Sequence, residues 1–374
     1  MRGRFVRPLV VLVVAVLTSG VVRVASLVVN DPGEPGESFP AGKWVTVKPP
    51  LGLVPVPIVE YLTDEELGVI RQVQRMVDAL DVATGEAFEG YDVTWELEPA
   101  VAGSSLLREQ RKAIAALDRA IAADSPFMRK WPLHIVVGRS QKWLRGVLER
   151  GACTPDLSAW RGVILLGAAV CGRHYVVSNI SGFLWVVRPG QRITARMEAR
   201  PEPVLAKVPY RLVERASTAL AHEYTHIWRA AGADGVVRAD EPAWFKEGFA
   251  EFWAGIAKVL ASGGRIPYET QHVVRMRDFF DWAPVCALPV AAYRTAVGSN
   301  SACEYHVGVI AVEYLYARYS SLKRTIDAFS LVGAYSTFEE QFQAVFGISL
   351  TDFEREATRY VARIRRVELA QSAR

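Results

Sequence analysis

The sequence predicts an α+β fold with a mixed, sheet-bearing N-terminal half and a helical C-terminal half. Short apolar runs bounded by turn residues occur between residues 133 and 187, whereas apolar residues at helical spacing dominate from Tyr210 onward. The chain has 374 residues, of which 51% are hydrophobic and 22% charged. It can therefore bury a large core, and its length allows one large domain or two.

The first 29 residues have the pattern of an export signal. Arg2, Arg4 and Arg7 precede an apolar stretch over residues 8–22, and the positive-inside rule then puts the rest of the chain outside the cytoplasm. Cleavage stays open, because residues 24–26 offer a small-residue cleavage site while the apolar character resumes as in an uncleaved anchor. We therefore expect a signal peptide or a signal anchor, and a secreted or membrane-anchored protein.

Residues 30–60 are rich in proline and glycine and are predicted to form an extended linker. Seven prolines fall in this stretch, and proline disrupts both helices and central strands. The folded domain is accordingly expected over residues 61–370. Residues 61–230 would form its mixed α/β half and residues 231–370 its helical half.

Each element of this domain has its own local signal. Thr63 and Glu66 form a capping-box pattern at the start of the first helix. Residues 240–242 offer an N-cap candidate and an early proline for a later helix, which Gly263 and Gly264 should end. The other predicted elements are a helix over 106–123, strands over 133–137 and 163–166, a hairpin of 175–177 with 183–187, a long helix over 210–230, and helices from Ser301 onward.

Charge and motif content argue against several function classes. The net charge of +4 is mild, and the arginines at the two ends form no basic stripe with interleaved aromatic residues. The chain also lacks the glycine-rich phosphate loops and the G-x-S-x-G turn of serine hydrolases. We therefore expect no nucleic-acid partner and no nucleotide or serine-hydrolase chemistry.

The four cysteines are even in number and follow an export signal, which favours two disulfides over free thiols. Three connectivities are possible. The pairing that joins sequence neighbours is our preferred interpretation, with Cys153 bonded to Cys171 and Cys286 bonded to Cys303.

The most informative motif is H-E-x-x-H over residues 222–226. His222 and His226 are four residues apart, so a helix places both imidazoles on one face, where they can bind Zn²⁺. Glu247 on the following predicted helix can supply a third ligand, and Glu223 lies beside the first ligand as a candidate general base. The motif alone also occurs on ordinary helices, so the second segment decides its interpretation.

That second segment resembles the gluzincin metallopeptidases, whose third zinc ligand is the Glu of a W-x-x-E-G-x-A-E sequence. Trp244, Glu247, Gly248, Ala250 and Glu251 match it. The resemblance continues in residues 305–315, similar to the Y-x-x-x-x-x-x-V-x-Y-L helix of the peptidase MA-like group, and in residues 342–354, similar to that group's closing segment.

The resemblance implies a zincin-like fold, with the zinc helix between the two halves and one Zn²⁺ per chain held by His222, His226 and Glu247. It also implies that Glu251 orients His222 through the far ring nitrogen, although a solvated helix carboxylate is the alternative. Tyr305 would donate to the oxyanion of the intermediate, with His306 as the rival donor and a core tyrosine as the alternative.

The leading hypothesis is thus a zinc peptidase acting on peptides or proteins outside the cytoplasm. Endopeptidase action is expected, because the chain lacks the G-A-M-E-N-like segment by which related aminopeptidases bind the substrate amine. One alternative is a degenerate zinc-holding binding or scaffold protein on the cell surface, and another is a structural domain without metal. His134, His174 and His272 lack ligand spacing and are interpreted as core or surface histidines.

Overall fold

The computed structural model describes most of the chain beyond its N-terminal segment. The ranges are 40–47, 58–80, 82, 86–90, 92–122, 132–150, 168–171, 175–179, 210–232, 240–278, 282–295, 301–322 and 335–372. The export signal predicted for residues 1–29 lies outside them. In these ranges no helix combines the length and apolar character needed to span a membrane.

Two strands open the described fold. β1 (Gly42–Val47) pairs antiparallel with β2 (Ile58–Thr63), and Val45 and Val47 point into the core. The prediction of a linker over residues 30–60, with the fold beginning at Tyr61, was therefore wrong for residues 42–47 and 58–60, while residues 30–39 and 48–57 lie outside the described residues. The prolines at 49, 50, 55 and 57 all fall between the strands, so proline density hid the alternating pattern of residues 43–47.

The first helix begins where its capping residues predicted. α1 (Asp64–Asp78) follows β2 directly. The Thr63 backbone N–H donates to Oε2 of Glu66 at 2.8 Å, and the Glu66 backbone N–H donates to Oγ1 of Thr63 at 3.2 Å. The predicted capping box is confirmed, and it satisfies two backbone donors that the helix itself leaves unpaired.

A four-stranded sheet forms the rest of the N-terminal half. It contains β3 (Val93–Leu97), β4 (Leu133–Gly138), β5 (Ala168–Cys171) and β6 (Tyr175–Asn179), in the order β3-β4-β6-β5. The first three neighbours in this order run parallel, and β5 runs antiparallel to β6. The helix α2 (Ser105–Ala122) connects β3 to β4, as parallel strands require, and α3 (Gln141–Arg150) follows β4.

The predicted pairing of residues 175–177 with 183–187 in a hairpin was wrong, and residues 183–187 themselves lie outside the described residues. Both edges of β6 are occupied, one by β4 and the other by β5, so no further strand can pair with it. β6 pairs in parallel with β4, which is distant in sequence, and antiparallel with β5, which precedes it. A run of apolar residues predicts that a strand forms, but it does not predict which strands pair with it. The predicted strand over 163–166 lies outside the described residues.

The helical half contains the remaining elements, which begin with α4 (Tyr210–Gly232) and α5 (Ala243–Ala261). They continue with α6 (Tyr268–Asp278), α7 (Trp282–Val285), α8 (Ser301–Tyr319), α9 (Phe338–Phe346) and α10 (Leu350–Ser372). The structure is therefore α+β, mostly helical with two small sheets.

The predicted end of α5 is confirmed, whereas its predicted N-cap is not. Gly263 and Gly264, with φ of +62° and +80°, follow its C-cap, as predicted. At its start the N-cap is Pro242, and no side chain caps the helix. The acidic Asp240 instead accepts a hydrogen bond from the Phe338 backbone N–H at 2.6 Å, because α9 packs beside this turn.

α5 is the central helix of the fold. Aromatic residues cover several of its faces and are fully buried, which is typical of a helix surrounded by other elements: Trp244, Phe245, Phe249, Phe252 and Trp253. α4 packs against α5 on one side and against β5 and β6 on another. It therefore lies where the sheet meets the helical half.

Two glycines allow α5 and α8 to touch through their backbones. A Cβ atom at Gly248 would lie 2.2 Å from the carbonyl carbon of Gly308, and one at Gly308 would lie 2.2 Å from the carbonyl oxygen of Trp244. Any larger residue at either position would force the helices apart. This close crossing brings the first turn of α8 beside Glu247, the neighbour of Gly248.

Candidate metal centre

His222 and His226 project from the same face of α4. Their Nε2 atoms lie 3.2 Å apart, as the four-residue spacing predicts. The helix is held rigidly at this point, because Leu220, Ala221 and Tyr224 are fully buried. The two imidazoles are thus placed by a packed helix instead of a loop.

Glu247 on α5 completes a triangle with the two histidines. Its Oε2 lies 3.4 Å from Nε2 of His222 and 3.3 Å from Nε2 of His226. Neighbouring corners of a tetrahedron are about 1.63 bond lengths apart, so zinc bonds of about 2.0–2.1 Å require donor atoms about 3.3–3.4 Å apart. The triangle has this size, and the three residues form a group that could hold a metal ion.

The charges of the group also suit a cation. Burial lowers the pKa of His226 to about 4, so this imidazole is neutral and can bind metal near neutral pH. Burial alone would also lower the pKa of His222, but Glu251, Glu247 and Glu223 raise it to about 8, so this imidazole must release a proton when a metal ion binds. Burial alone would raise the pKa of Glu247, yet the two histidines hold it well below its ordinary value. Glu247 is therefore an anionic ligand candidate.

Glu223 follows His222 on α4 and is only partly exposed. Burial raises the pKa of its carboxyl group to about 7, against the opposing attraction of His222 and with further repulsion from Glu247. A cation bound beside Glu223 would lower this pKa and keep the group as a carboxylate, which is the form of a general base that accepts a proton.

Glu251 lies one turn after Glu247 and faces the other side of His222. Its Oε1 is 3.4 Å from Nδ1 of His222, slightly longer than an ordinary hydrogen bond. The position agrees with the predicted role of orienting that imidazole. The alternative of a solvated helix carboxylate was wrong, because Glu251 is buried.

Tyr305 lies against the metal group. Its ring is stacked on the imidazole of His222, with ring centroids 5.8 Å apart. Successive residues of a helix point about 100° apart, so His306, which is buried, faces a different direction from Tyr305. The stacking places the Tyr305 ring beside a ligand candidate, and the choice between Tyr305 and His306 as the oxyanion donor stays a prediction.

Cys286 and Cys303 form a disulfide, as the preferred pairing predicts. The bond ties the segment after α7 to the first turn of α8, two residues before Tyr305. The other predicted pair, Cys153 with Cys171, stays a prediction, because Cys153 lies outside the described residues.

Arg229 is a residue of this region that the sequence did not single out. Its guanidinium forms a buried ion pair with Glu241 and packs over the rings of Phe245 and Phe249. It also approaches the carbonyl oxygen of Lys246 at 3.5 Å. Arg229 therefore joins the end of α4 to the start of α5. Its position three residues after His226, on the same helical face, was the available signal.

Glu304 is the second residue that the sequence missed. It lies in the first turn of α8 and is 4% exposed. Burial raises the pKa of its carboxyl group to about 7, and repulsion by Glu247 adds to this effect. An acidic residue in a first helical turn is common, so no sequence signal marks Glu304.

The chain was compared with protein-family models, with curated proteins and with solved structures, and none of the three comparisons finds a match. The interpretation of the metal group therefore depends on its own geometry.

Proposed function

We propose that this protein is a zinc-dependent peptidase of zincin-like fold. The observation that carries the proposal is the triangle of His222, His226 and Glu247 donor atoms with a tetrahedral zinc spacing, next to the carboxyl group of Glu223 on the helix that carries both histidines. The placement of α4 between the sheet and the helical half supports the fold assignment. The export pattern of residues 1–29 supports action outside the cytoplasm on peptides or proteins.

The three ligand residues would bind one Zn²⁺. When bound, the ion supplies Lewis acidity and lowers the pKa of a coordinated water molecule towards neutrality. Glu223 takes the proton from the attacking water and carries it at its carboxylate. It then delivers that proton to the amine that leaves when the peptide bond breaks.

Two further residues support this chemistry. The carboxylate of Glu251 lies next to Nδ1 of His222. This contact fixes the orientation of the imidazole and directs its Nε2 towards the metal ion. The hydroxyl of Tyr305 donates a hydrogen bond to the oxygen on which negative charge develops in the transition state. Its stacking on His222 keeps the ring beside the ligand group.

A zinc-holding scaffold without catalysis is the second candidate. It would need the three ligands, but it would have no use for a carboxylate beside the first of them that can accept a proton. Glu223 is therefore the residue that separates the two functions.

The experiment compares Glu223→Gln with the wild type on a diverse peptide mixture, with cleavage products measured by mass spectrometry. Glutamine keeps the size of the side chain and removes the proton acceptor, so we expect turnover to fall by about a hundredfold or more. Zinc content should be unchanged. Glu149→Gln, on the exposed surface of α3, is the matched control and should retain full activity.

Equal turnover in Glu223→Gln and the wild type would reject the mechanism. A wild-type protein that binds zinc and cleaves no peptide in the mixture would favour the scaffold. A wild-type protein without zinc would reject both.

A further inference from the structure

A line of buried polar residues leads from the metal group into the helical half. We call it the buried charge chain, and it consists of Glu251, Arg275, Tyr268, Glu313, His272 and Glu66. Its members come from α5, α6, α8 and α1. Burying so many ionisable groups is costly unless each is paired, so their pairing constrains where the side chains can lie.

Arg275 is the link nearest to the metal group. Its Nη1 donates to the backbone carbonyl oxygen of Glu251 at 3.5 Å, and its charge attracts the Glu251 carboxylate. The same Glu251 carboxylate faces Nδ1 of His222 at 3.4 Å. Arg275 therefore contacts the residue that contacts the metal ligand, and it does not belong to the ligand group itself.

A glycine makes room for this guanidinium. Gly255 lies one turn after Glu251 on α5, and a Cβ atom there would be 2.7 Å from Nη2 of Arg275 and 2.9 Å from its Cζ. These distances are too short for any side chain, so the guanidinium can lie flat on α5 only because residue 255 is glycine. The helix surface is thus shaped to receive Arg275 beside Glu251.

The far side of Arg275 is held as firmly. Its Nη2 donates to the hydroxyl oxygen of Tyr268 at 2.9 Å, and this hydroxyl interacts with Glu313. Nδ1 of His272 lies 2.9 Å from Glu313, and its Nε2 lies 3.8 Å from Glu66. Anionic and cationic groups therefore alternate along the buried charge chain, with the hydroxyl of Tyr268 between Arg275 and Glu313. Arg275 cannot rotate away without leaving its own buried guanidinium without the Tyr268 hydroxyl and the Glu251 carbonyl oxygen.

We propose that Arg275 is a positioning residue for the metal centre. It anchors the backbone of Glu251 and balances the charge of its carboxylate, so that Glu251 stays directed at His222 and the imidazole stays directed at the ligand position. Metal affinity then depends on a cation that touches none of the ligands. This inference rests on the metal binding that the proposed function assumes, but not on peptidase activity.

The test measures Zn²⁺ affinity of the full chain by competition with a chromophoric chelator, and the absorption spectrum of the Co²⁺-loaded protein. Removing a residue that orients a ligand typically weakens metal binding about 10–100-fold, and we expect this range for Glu251→Gln. For Arg275→Gln we expect about tenfold weaker binding and an altered Co²⁺ spectrum. Arg275→Lys keeps the charge and should recover part of the loss.

A double-mutant cycle distinguishes a positioning role of Arg275 from a general loss of stability. If Arg275 acts through Glu251, the protein with both Arg275→Gln and Glu251→Gln should bind Zn²⁺ no more weakly than Glu251→Gln alone. His272→Gln is the control at the other end of the buried charge chain. It should lower stability and leave the Zn²⁺ affinity within about twofold of the wild type.

A second variant keeps the test decisive if Arg275→Gln does not fold. Gly255→Ala displaces the guanidinium without removing it and should weaken Zn²⁺ binding, whereas Gly68→Ala on α1, where a Cβ atom meets no neighbour, should not. Unchanged Zn²⁺ affinity in Arg275→Gln or Gly255→Ala, or losses that add in the double variant, would overturn the proposal. Failure of the wild type to bind Zn²⁺ would overturn it together with the proposed function, whereas zinc binding without peptidase activity would leave it standing.

Discussion

Raising the pH from about 6.5 to 10 should destabilise the protein, because His272 loses a proton that the fold holds tightly. His272, Glu66 and Glu313 are each about 2% exposed. Burial alone would lower the pKa of His272, but Glu313 and Glu66 outweigh it and raise the pKa to about 10. The native state therefore binds this proton at pH values where the unfolded chain has released it.

The size of the effect follows from the two pKa values. In the unfolded chain the imidazole has a pKa of 6.5, so the folded and unfolded values differ by about 3.5 pH units. That difference corresponds to about 5 kcal/mol of unfolding free energy. The contribution is fully present below pH 6.5 and is lost as the pH rises through the folded pKa. This is a large part of the 5–15 kcal/mol that stabilises a typical domain.

The assay is urea unfolding at a series of pH values from 6.5 to 10, followed by tryptophan fluorescence at constant ionic strength. His272→Gln is the matched variant, because it lacks this titration and keeps the other groups that titrate in the range, including His222, Glu223 and Glu304. We expect the wild type to lose several kcal/mol more than the variant between the two ends of the range. Equal losses in both proteins would refute the reasoning.

Two further predictions concern the metal centre. The double variant His222→Ala and His226→Ala should lose its one zinc per chain, measured by elemental analysis, and keep its circular dichroism spectrum, because catalytic zinc sites contribute less to folding than structural ones; stoichiometric zinc in this variant would contradict the ligand assignment. Tyr305→Phe should lower kcat about tenfold to a thousandfold in steady-state assays and leave KM nearly unchanged, since the bond forms mainly in the transition state. If His306→Gln showed this loss and Tyr305→Phe did not, the oxyanion role would pass to His306.

The features that the sequence predicted correctly depend on residues close together in the chain. Thr63 and Glu66 of the capping box are three positions apart, and the two histidines of the metal group are four positions apart. A helix converts such spacings into fixed geometry, whatever surrounds it. Glu247 could be predicted as the third ligand for a related reason, because it lies on α5, the next described helix after α4.

The features that were missed depend on contacts between distant parts of the chain. His272 was interpreted as a core or surface histidine, and it is a buried one, but its pairing with Glu313 joins residues 41 positions apart. The strand β1 was missed because proline density was averaged over a range that includes the proline-rich residues between β1 and β2. The predicted hairpin partner of β6 was wrong because the pairing of a strand depends on the packing of the whole sheet.

The sequence by itself determined the α+β class, the helix that carries His222 and His226, and the chemical identity of the three metal-ligand candidates. Local spacing and residue chemistry are sufficient for these conclusions, since helical periodicity acts over a few residues. Only the tertiary structure decided that the three donor atoms form a triangle of zinc dimensions, that Gly248 and Gly308 bring Tyr305 onto His222, and that Arg275 lies behind Glu251. These distances depend on how closely separate helices pack, and packing is set by side chains that are remote in sequence.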